Sequence, residues 1–214
     1  MCKITRAKII RLAQAALITA SSISTMSGIP AWATEPAVHS THAMHANAIQ
    51  VTEEKIGKHN YQVSRMHVNA RPEHIWRVLT DYNNAVDIFP CLKKCTVLHD
   101  HGATKEVEQQ IKPSGVPGSF TYVLEVTETP NRMQKWRRLR GDFAEVEGFW
   151  KLDPAEDGTT LVTYASYVSG GFFLPQALIK RQARMDFPGV MSALKLQSET
   201  TRHIASRDQH SHKN

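Results

Sequence analysis

A run of short strand-like segments followed by one long helical segment is the feature of this sequence that most constrains its fold. Turn residues such as His101-Gly102 and Glu156-Asp157-Gly158 separate the strand-like segments. Consecutive strands that are joined by short turns pair with their neighbours, so the sequence predicts an antiparallel sheet. We expect six strands, at residues 95–99, 106–111, 119–127, 134–139, 143–152 and 160–169.

Helical patterns flank the predicted sheet, and a weak alternation over residues 59–70 predicts one further strand before it. Pro72 and Glu73 predict a helix start, because proline fits the first turn and an acid complements the helix dipole. A short second helix is expected to end at Phe89. The long helical pattern begins after Pro175 and should kink at Pro188. The predicted class is therefore α+β, in the order strand, two helices, six strands and a long helix.

The first 33 residues predict a secretory signal peptide. Four cations precede a short apolar run over residues 12–23, and Ala31-Trp32-Ala33 offers the small residues that signal peptidase accepts. Because these four cations carry most of the formal charge of +6, a nucleic-acid partner is not expected. We expect a periplasmic or secreted protein, cleaved near Ala33. The alternative is the disordered or amphipathic N-terminus of a cytosolic protein.

The rest of the chain divides by composition into a linker, a domain and a tail. Residues 34–57 are predicted to be a disordered linker that contains histidine, residues 58–205 the folded domain, and residues 206–214 a disordered tail. The histidines outside the domain could collect a metal weakly, although a metal site normally needs fixed ligands and supporting contacts. We therefore predict no cofactor and no metal, with solvated tails. These histidines are His39, His42, His45, His210 and His212.

Cys91 and Cys95 are the cysteines that remain after signal cleavage, and export would place them in an oxidising compartment. A disulfide between them requires the chain to turn, which Pro90 makes plausible. Free buried thiols and ligation of a soft metal are the two alternatives.

Short sequence segments in the folded region resemble the corresponding segments of a known family. They are residues 76–82 (WRVLTDY), 89–90 (FP), 140–143 (RGDF), 147–154 (EGFWKLDP) and 158–161 (GTTL). In this order they resemble the polyketide cyclase/dehydratase and coenzyme Q-binding START-like family, also called SRPBCC. The resemblance implies a helix-grip fold, in which a curved antiparallel sheet wraps around the C-terminal helix and leaves a cavity. It also implies a ligand that is a lipid, quinone or polyketide.

The predicted strand at 119–127 supports a cavity, because Phe120, Tyr122, Leu124 and Val126 lie on one face and Thr121, Glu125 and Thr127 on the other. One helix cannot fill the concave side of a curved sheet, so bulky side chains or a ligand must do so. For each residue taken alone, ordinary core packing is the alternative. The candidate lining residues are Phe89, Phe120, Tyr122, Leu124, Trp136, Phe143, Trp150, Tyr164, Phe187, Met191 and Leu194.

Arg138 and Arg140 belong to the densest run of positive charge in the domain. By strand alternation they share the face of Trp136, where a guanidinium could pair with an anionic group of a ligand. A bulge before Gly141 would reverse this placement. The alternative is a solvated basic strand, which could make transient contact with anionic lipid headgroups.

The sequence has no G-x-S-x-G, H-E-x-x-H, P-loop or G-x-G-x-x-G motif. Function therefore has to be inferred from the cavity. We expect a monomeric protein that binds or transfers a hydrophobic small molecule such as a lipid, isoprenoid or quinone. A cyclase or dehydratase that uses the same cavity, and an accessory protein that handles metal through its histidines, are the alternatives.

Overall fold

The computed structural model describes residues 49–172 and 174–211, and the burial of side chains up to residue 200. The predicted signal peptide and most of the predicted linker lie outside the described residues. The described elements are β1 (Val51–Ile56), β2 (His59–Val68), α1 (Pro72–Leu79), α2 (Ala85–Ile88), β3 (Leu92–His101), β4 (Thr104–Ile111), β5 (Phe120–Thr129), β6 (Met133–Gly141), β7 (Glu145–Pro154), β8 (Thr160–Ser169) and α3 (Gln176–Ser211).

The described strands form one antiparallel sheet in the order β1-β2-β8-β7-β6-β5-β4-β3. Strands β3 to β8 follow the chain order as a meander, which the turn residues predicted. β2 pairs with β8, with Gln62 opposite Ser166 and Val68 opposite Thr160. Through this pairing β2, which precedes α1 and α2 in the chain, lies beside β8, which precedes α3. The α+β architecture predicted from the sequence is confirmed.

Two predicted boundaries are wrong. The predicted disordered linker includes residues 51–56, but these form β1 and pair with β2, from Val51 opposite Ser64 to Ile56 opposite His59. The two-residue hairpin turn contains Gly57 at φ +60°, a backbone conformation that favours glycine. The predicted tail is shortened as well, because α3 continues to Ser211. Between Val190 and that end the sequence has no glycine or proline to interrupt a helix.

The main core lies where α1 and the middle of α3 pack against the sheet. Ile75 of α1 and Met191 and Leu194 of α3 are each fully buried, together with Val68 and Val162 of the sheet. Burying one such side chain stabilises a fold by about 1.5–3 kcal/mol. These contacts fix the position of α3 over one part of the sheet and leave its first turns facing another part.

α3 runs without a break through Pro188. The proline ring removes one backbone donor from the helix at this point. A Cβ atom built on the neighbouring Gly189 would lie 3.7 Å from Pro90 Cγ, which is ordinary contact. The kink itself stays a prediction. Among the described helices, none is both long enough and apolar enough to span a membrane.

Candidate functional site: an internal cavity

The sheet and the first turns of α3 enclose a cavity of about 270 Å³. A single water molecule needs only roughly 10–15 Å³ on a comparable measure, so the space can hold a small organic molecule. The lining includes Gln176 and Leu178, which are both exposed. The cavity therefore reaches the surface at the start of α3.

One wall of the cavity is a stack of aromatic rings centred on Tyr164. The Tyr164 ring lies 4.2 Å from Trp150, 4.5 Å from Phe187 and 5.9 Å from Trp136, measured between ring centroids. Glycine at position 148 makes room for this stack, because a Cβ there would lie 2.5 Å from Trp136 Cε2. Rings at these separations and tilts attract one another beyond simple burial.

A second aromatic group lies on the wall formed by β5 and the turn after β6. The Phe143 ring is 5.0 Å from Phe120 and 5.5 Å from Tyr122. Burial raises the pKa of both Tyr122 and Tyr164 above the usual range of a phenol. Both phenols therefore stay protonated at neutral pH, and both hydroxyl groups can donate hydrogen bonds.

A short hydrogen-bonded chain lies at one end of the cavity. The Tyr82 hydroxyl donates to Glu128 Oε1 at 2.5 Å and accepts from Gln134 Nε2 at 3.0 Å. Burial, followed by the contact with Glu128, raises the Tyr82 pKa. Lys105 Nζ lies 3.8 Å from Glu128 Oε2 and balances its charge. The chain thus connects a cavity phenol to a largely buried carboxylate.

Both cysteines line the cavity as free thiols, so the predicted disulfide is wrong. β3 begins at Leu92, between the two residues, and the chain extends where a disulfide would need a turn. Over four residues an extended chain spans about 13 Å, whereas a disulfide requires roughly 4.4–6.8 Å between Cα atoms. Burial, followed by the charge of Asp186, raises the pKa of Cys91 to about 11.

Most of the predicted lining residues lie in the cavity wall, although Met191 and Leu194 do not. These two side chains are buried in the main core beneath α1, because the later turns of α3 face that helix. The sequence shows one apolar stripe along α3, but it does not show at which residue this stripe stops lining the cavity and begins to pack in the core. The predicted residues that line the cavity are Phe89, Phe120, Tyr122, Leu124, Trp136, Phe143, Trp150, Tyr164 and Phe187.

Neither Arg138 nor Arg140 lines the cavity, so their predicted contact with a ligand is wrong. The pairing of β5 with β6 skips Leu139 of β6, because Val123 pairs with Arg140 and the next residue, Leu124, pairs with Arg138. Such a bulge reverses the side-chain alternation. Arg140 is therefore exposed and lies 3.8 Å from Glu106 on the outer face. Arg138 is half-buried, and its Nη2 donates to the Gly141 carbonyl at 3.3 Å.

The sequence analysis missed the polar part of the lining. Gln62 was not singled out, although counting back in steps of two from buried Val68 places it on the inner face of β2. Asp186 lies four residues after Gln182 on α3, so the two share a helix face. Gln182 Nε2 donates to Asp186 Oδ2 at 2.8 Å. The missed polar lining residues include Gln62, Tyr82, Gln109, Gln134, Gln182 and Asp186.

A sequence profile of the family described as polyketide cyclase/dehydrase and lipid transport matches residues 68–195. The chain belongs to this family. The START-like resemblance of its short sequence segments is confirmed, and the matched range extends from the end of β2 into α3. A search of curated protein sequences finds no match.

Solved structures of this START-like family share the fold. A STAR-related lipid transfer protein from Xanthomonas axonopodis has a TM-score of 0.59 at 18% identity, covering 72% of this chain and 95% of that one. Zhui aromatase/cyclase from Streptomyces sp. R1128 has a TM-score of 0.58 at 17% identity, covering 65% and 93%. A START superfamily protein from Mycobacterium smegmatis has a TM-score of 0.58 at 19% identity, covering 66% and 98%. At these identities the likeness establishes the helix-grip fold alone.

The described residues contain no group of three or more histidine, cysteine or acidic side chains placed to hold a metal ion. The histidines that suggested metal handling, at positions 39, 42, 45, 210 and 212, belong to segments whose side chains are not described.

Proposed function

We propose that this protein binds or transfers a hydrophobic small molecule in its internal cavity. The aromatic and apolar lining of a 270 Å³ space carries the proposal. Apolar pockets with a few polar groups are typical of sites for small hydrophobic ligands, in which the polar groups set the orientation. Lipids, isoprenoids and quinones are the proposed ligand classes. All three classes present a large apolar body, and those members that carry oxygen atoms could be contacted by Tyr122 or Tyr164.

We further propose that the protein acts after export, as its first 33 residues suggest. N-terminal sequencing of protein from cells should then begin at Thr34, and an intact Met1 would contradict export. Phe172 is fully exposed and Leu178 partly so, both near the start of α3. Exposed apolar side chains beside the opening would allow transient contact with a membrane during ligand exchange.

A catalytic function in the same cavity is the second candidate. The hydrogen bond of 2.5 Å between the Tyr82 hydroxyl and Glu128 favours it, because a phenol that contacts a carboxylate could exchange a proton with a substrate. Cyclisation or dehydration of a polyketide-like substrate is the reaction type that the family description suggests.

Native mass spectrometry of the purified protein, followed by solvent extraction, tests both candidates. An organic ligand that is extracted unchanged after prolonged incubation supports binding or transfer. Conversion of the ligand that Tyr82→Phe abolishes supports catalysis, and Glu156→Gln in the exposed turn before β8 is the matched control. Absence of organic ligand, combined with failure to bind any hydrophobic probe, would contradict both.

A further inference from the structure

Charged groups are almost absent from the cavity wall. Among the described residues that line it, Asp186 has the only formally charged side chain. The other lining residues contribute apolar, aromatic, amide, hydroxyl and thiol groups. A ligand in this space therefore meets one negative charge and no positive charge from the described wall.

The Asp186 carboxylate has no cationic partner within 4.0 Å among the described ion pairs. Its hydrogen-bond donors are both neutral: the amide of Gln182, at 2.8 Å, and the thiol of Cys91. Lys180, six residues before Asp186 on α3, lies 2.7 Å from Glu53 Oε1 and pairs with that carboxylate. Lys93, which influences Cys91, is exposed to solvent. The charge of Asp186 thus acts on the cavity without a neutralising partner.

We propose that Asp186 sets the charge selectivity of the cavity, so that it disfavours anionic amphiphiles such as free fatty acids and favours ligands with a neutral or cationic polar end. Two like charges in a space with apolar walls repel strongly, because little water is present to screen them. A hydroxyl or amine on the ligand can instead donate a hydrogen bond to the carboxylate. This inference rests on the proposed binding function.

A series of naphthalene probes that differ only in the polar end tests the inference. The probes are 2-(2-naphthyl)ethylamine, 2-(2-naphthyl)ethanol and the carboxylate 2-(2-naphthyl)acetate. Each is titrated into the purified protein by calorimetry at neutral pH and low salt. The wild type should bind the amine at least about tenfold more tightly than the acetate, with the alcohol between them. In Asp186→Asn the ratio of amine to acetate affinity should fall to about threefold or less, while binding of the alcohol persists.

Asp87→Asn is the control, because it removes one negative charge from the exposed face of α2, away from the lining. It should leave the amine-to-acetate ratio unchanged. If the wild-type protein binds the acetate probe as tightly as the amine probe, the inference is overturned, whatever the variants show. A ratio that survives Asp186→Asn would overturn the role of this residue. Failure of all three probes to bind, by contrast, would overturn the proposed binding function itself.

Discussion

At the scale of single residues, the cavity should make the Cys91 thiol unreactive. Its pKa is raised from 9.0 to about 11 by burial and by Asp186. A rise of two pKa units lowers the thiolate fraction at pH 8 by about 100-fold, and the thiolate is the nucleophile. Alkylation of Cys91 by iodoacetamide should therefore be about 100-fold slower than that of an unstructured cysteine peptide. Peptide mass mapping against time measures this rate.

The pH dependence of the same reaction provides the control. The rate should rise as pH increases through about 11, whereas the peptide reaches its plateau two pH units lower. Reaction at the rate of the peptide at pH 8 would mean that Cys91 is not held in the buried position that the structure gives it.

The ion pair between Glu54 and Arg65 should make stability depend on acid pH. Arg65 Nη1 and Nη2 lie 2.5 and 2.8 Å from the two carboxylate oxygens, and the contact lowers the Glu54 pKa to about 2. Because the folded pKa is depressed, the stabilisation is present above about pH 4.5 and is lost as pH falls towards 2. Both side chains are partly exposed, so the pair contributes only about 0.5–1 kcal/mol.

Glu54→Gln should lower the free energy of unfolding in urea by this amount at pH 7 and by almost nothing near pH 2. Glu156→Gln, in the exposed turn between β7 and β8, should change stability little at either pH. Equal effects of the two substitutions at pH 7 would show that the Glu54 pair does not stabilise β1 against β2.

At the scale of secondary-structure elements, two glycines should respond to alanine in opposite directions. A Cβ on Gly148 of β7 would lie 2.5 Å from the Ala165 carbonyl oxygen and would press on Trp136. Gly148→Ala should therefore destabilise the fold by about 1–3 kcal/mol and shift the tryptophan fluorescence. A Cβ on Gly189 makes only ordinary contact, so Gly189→Ala should stabilise α3 by about 0.5–1 kcal/mol. Urea unfolding of both variants checks the signs, and destabilisation by both would contradict the packing around α3.

The same scale explains which elements could be predicted from the sequence. The bounds predicted for strands β4 to β8 lie within a few residues of the observed bounds, because glycine and proline in the turns indicate where each strand ends. β1 was missed because its centre is Glu53-Glu54-Lys55, which lacks the apolar alternation of a half-buried strand. The bulge at Leu139 of β6 turns Arg140 outward; the sequence analysis considered a bulge before Gly141, but no residue of the strand indicates that one forms there.

At the scale of the whole molecule, the fold was predictable because the order of the helices and strands can be read from short stretches of sequence. The division of the interior between cavity and core could not, because it depends on contacts between residues far apart in sequence. Phe187 and Met191 are one helical turn apart and equally apolar, yet one lines the cavity and the other is buried under α1. Asp186 beside Phe187 gives the cavity its charge, and no sequence pattern distinguishes it from a solvated helix acid.

This division gives the sharpest test of the interior, through a matched pair of tryptophan substitutions. Leu124 lines the cavity, so an indole in its place can extend into open space. Met191 is fully buried in the core, where extra volume costs about 1–3 kcal/mol through strain. Leu124→Trp should therefore keep a melting temperature near that of the wild type and lose binding of 2-(2-naphthyl)ethanol. Met191→Trp should melt several degrees lower and, where folded, still bind the probe. Calorimetry and thermal melts measure both. Strong destabilisation by Leu124→Trp, together with no probe binding by the wild type, would mean that the interior is solid core and that the protein is not a carrier.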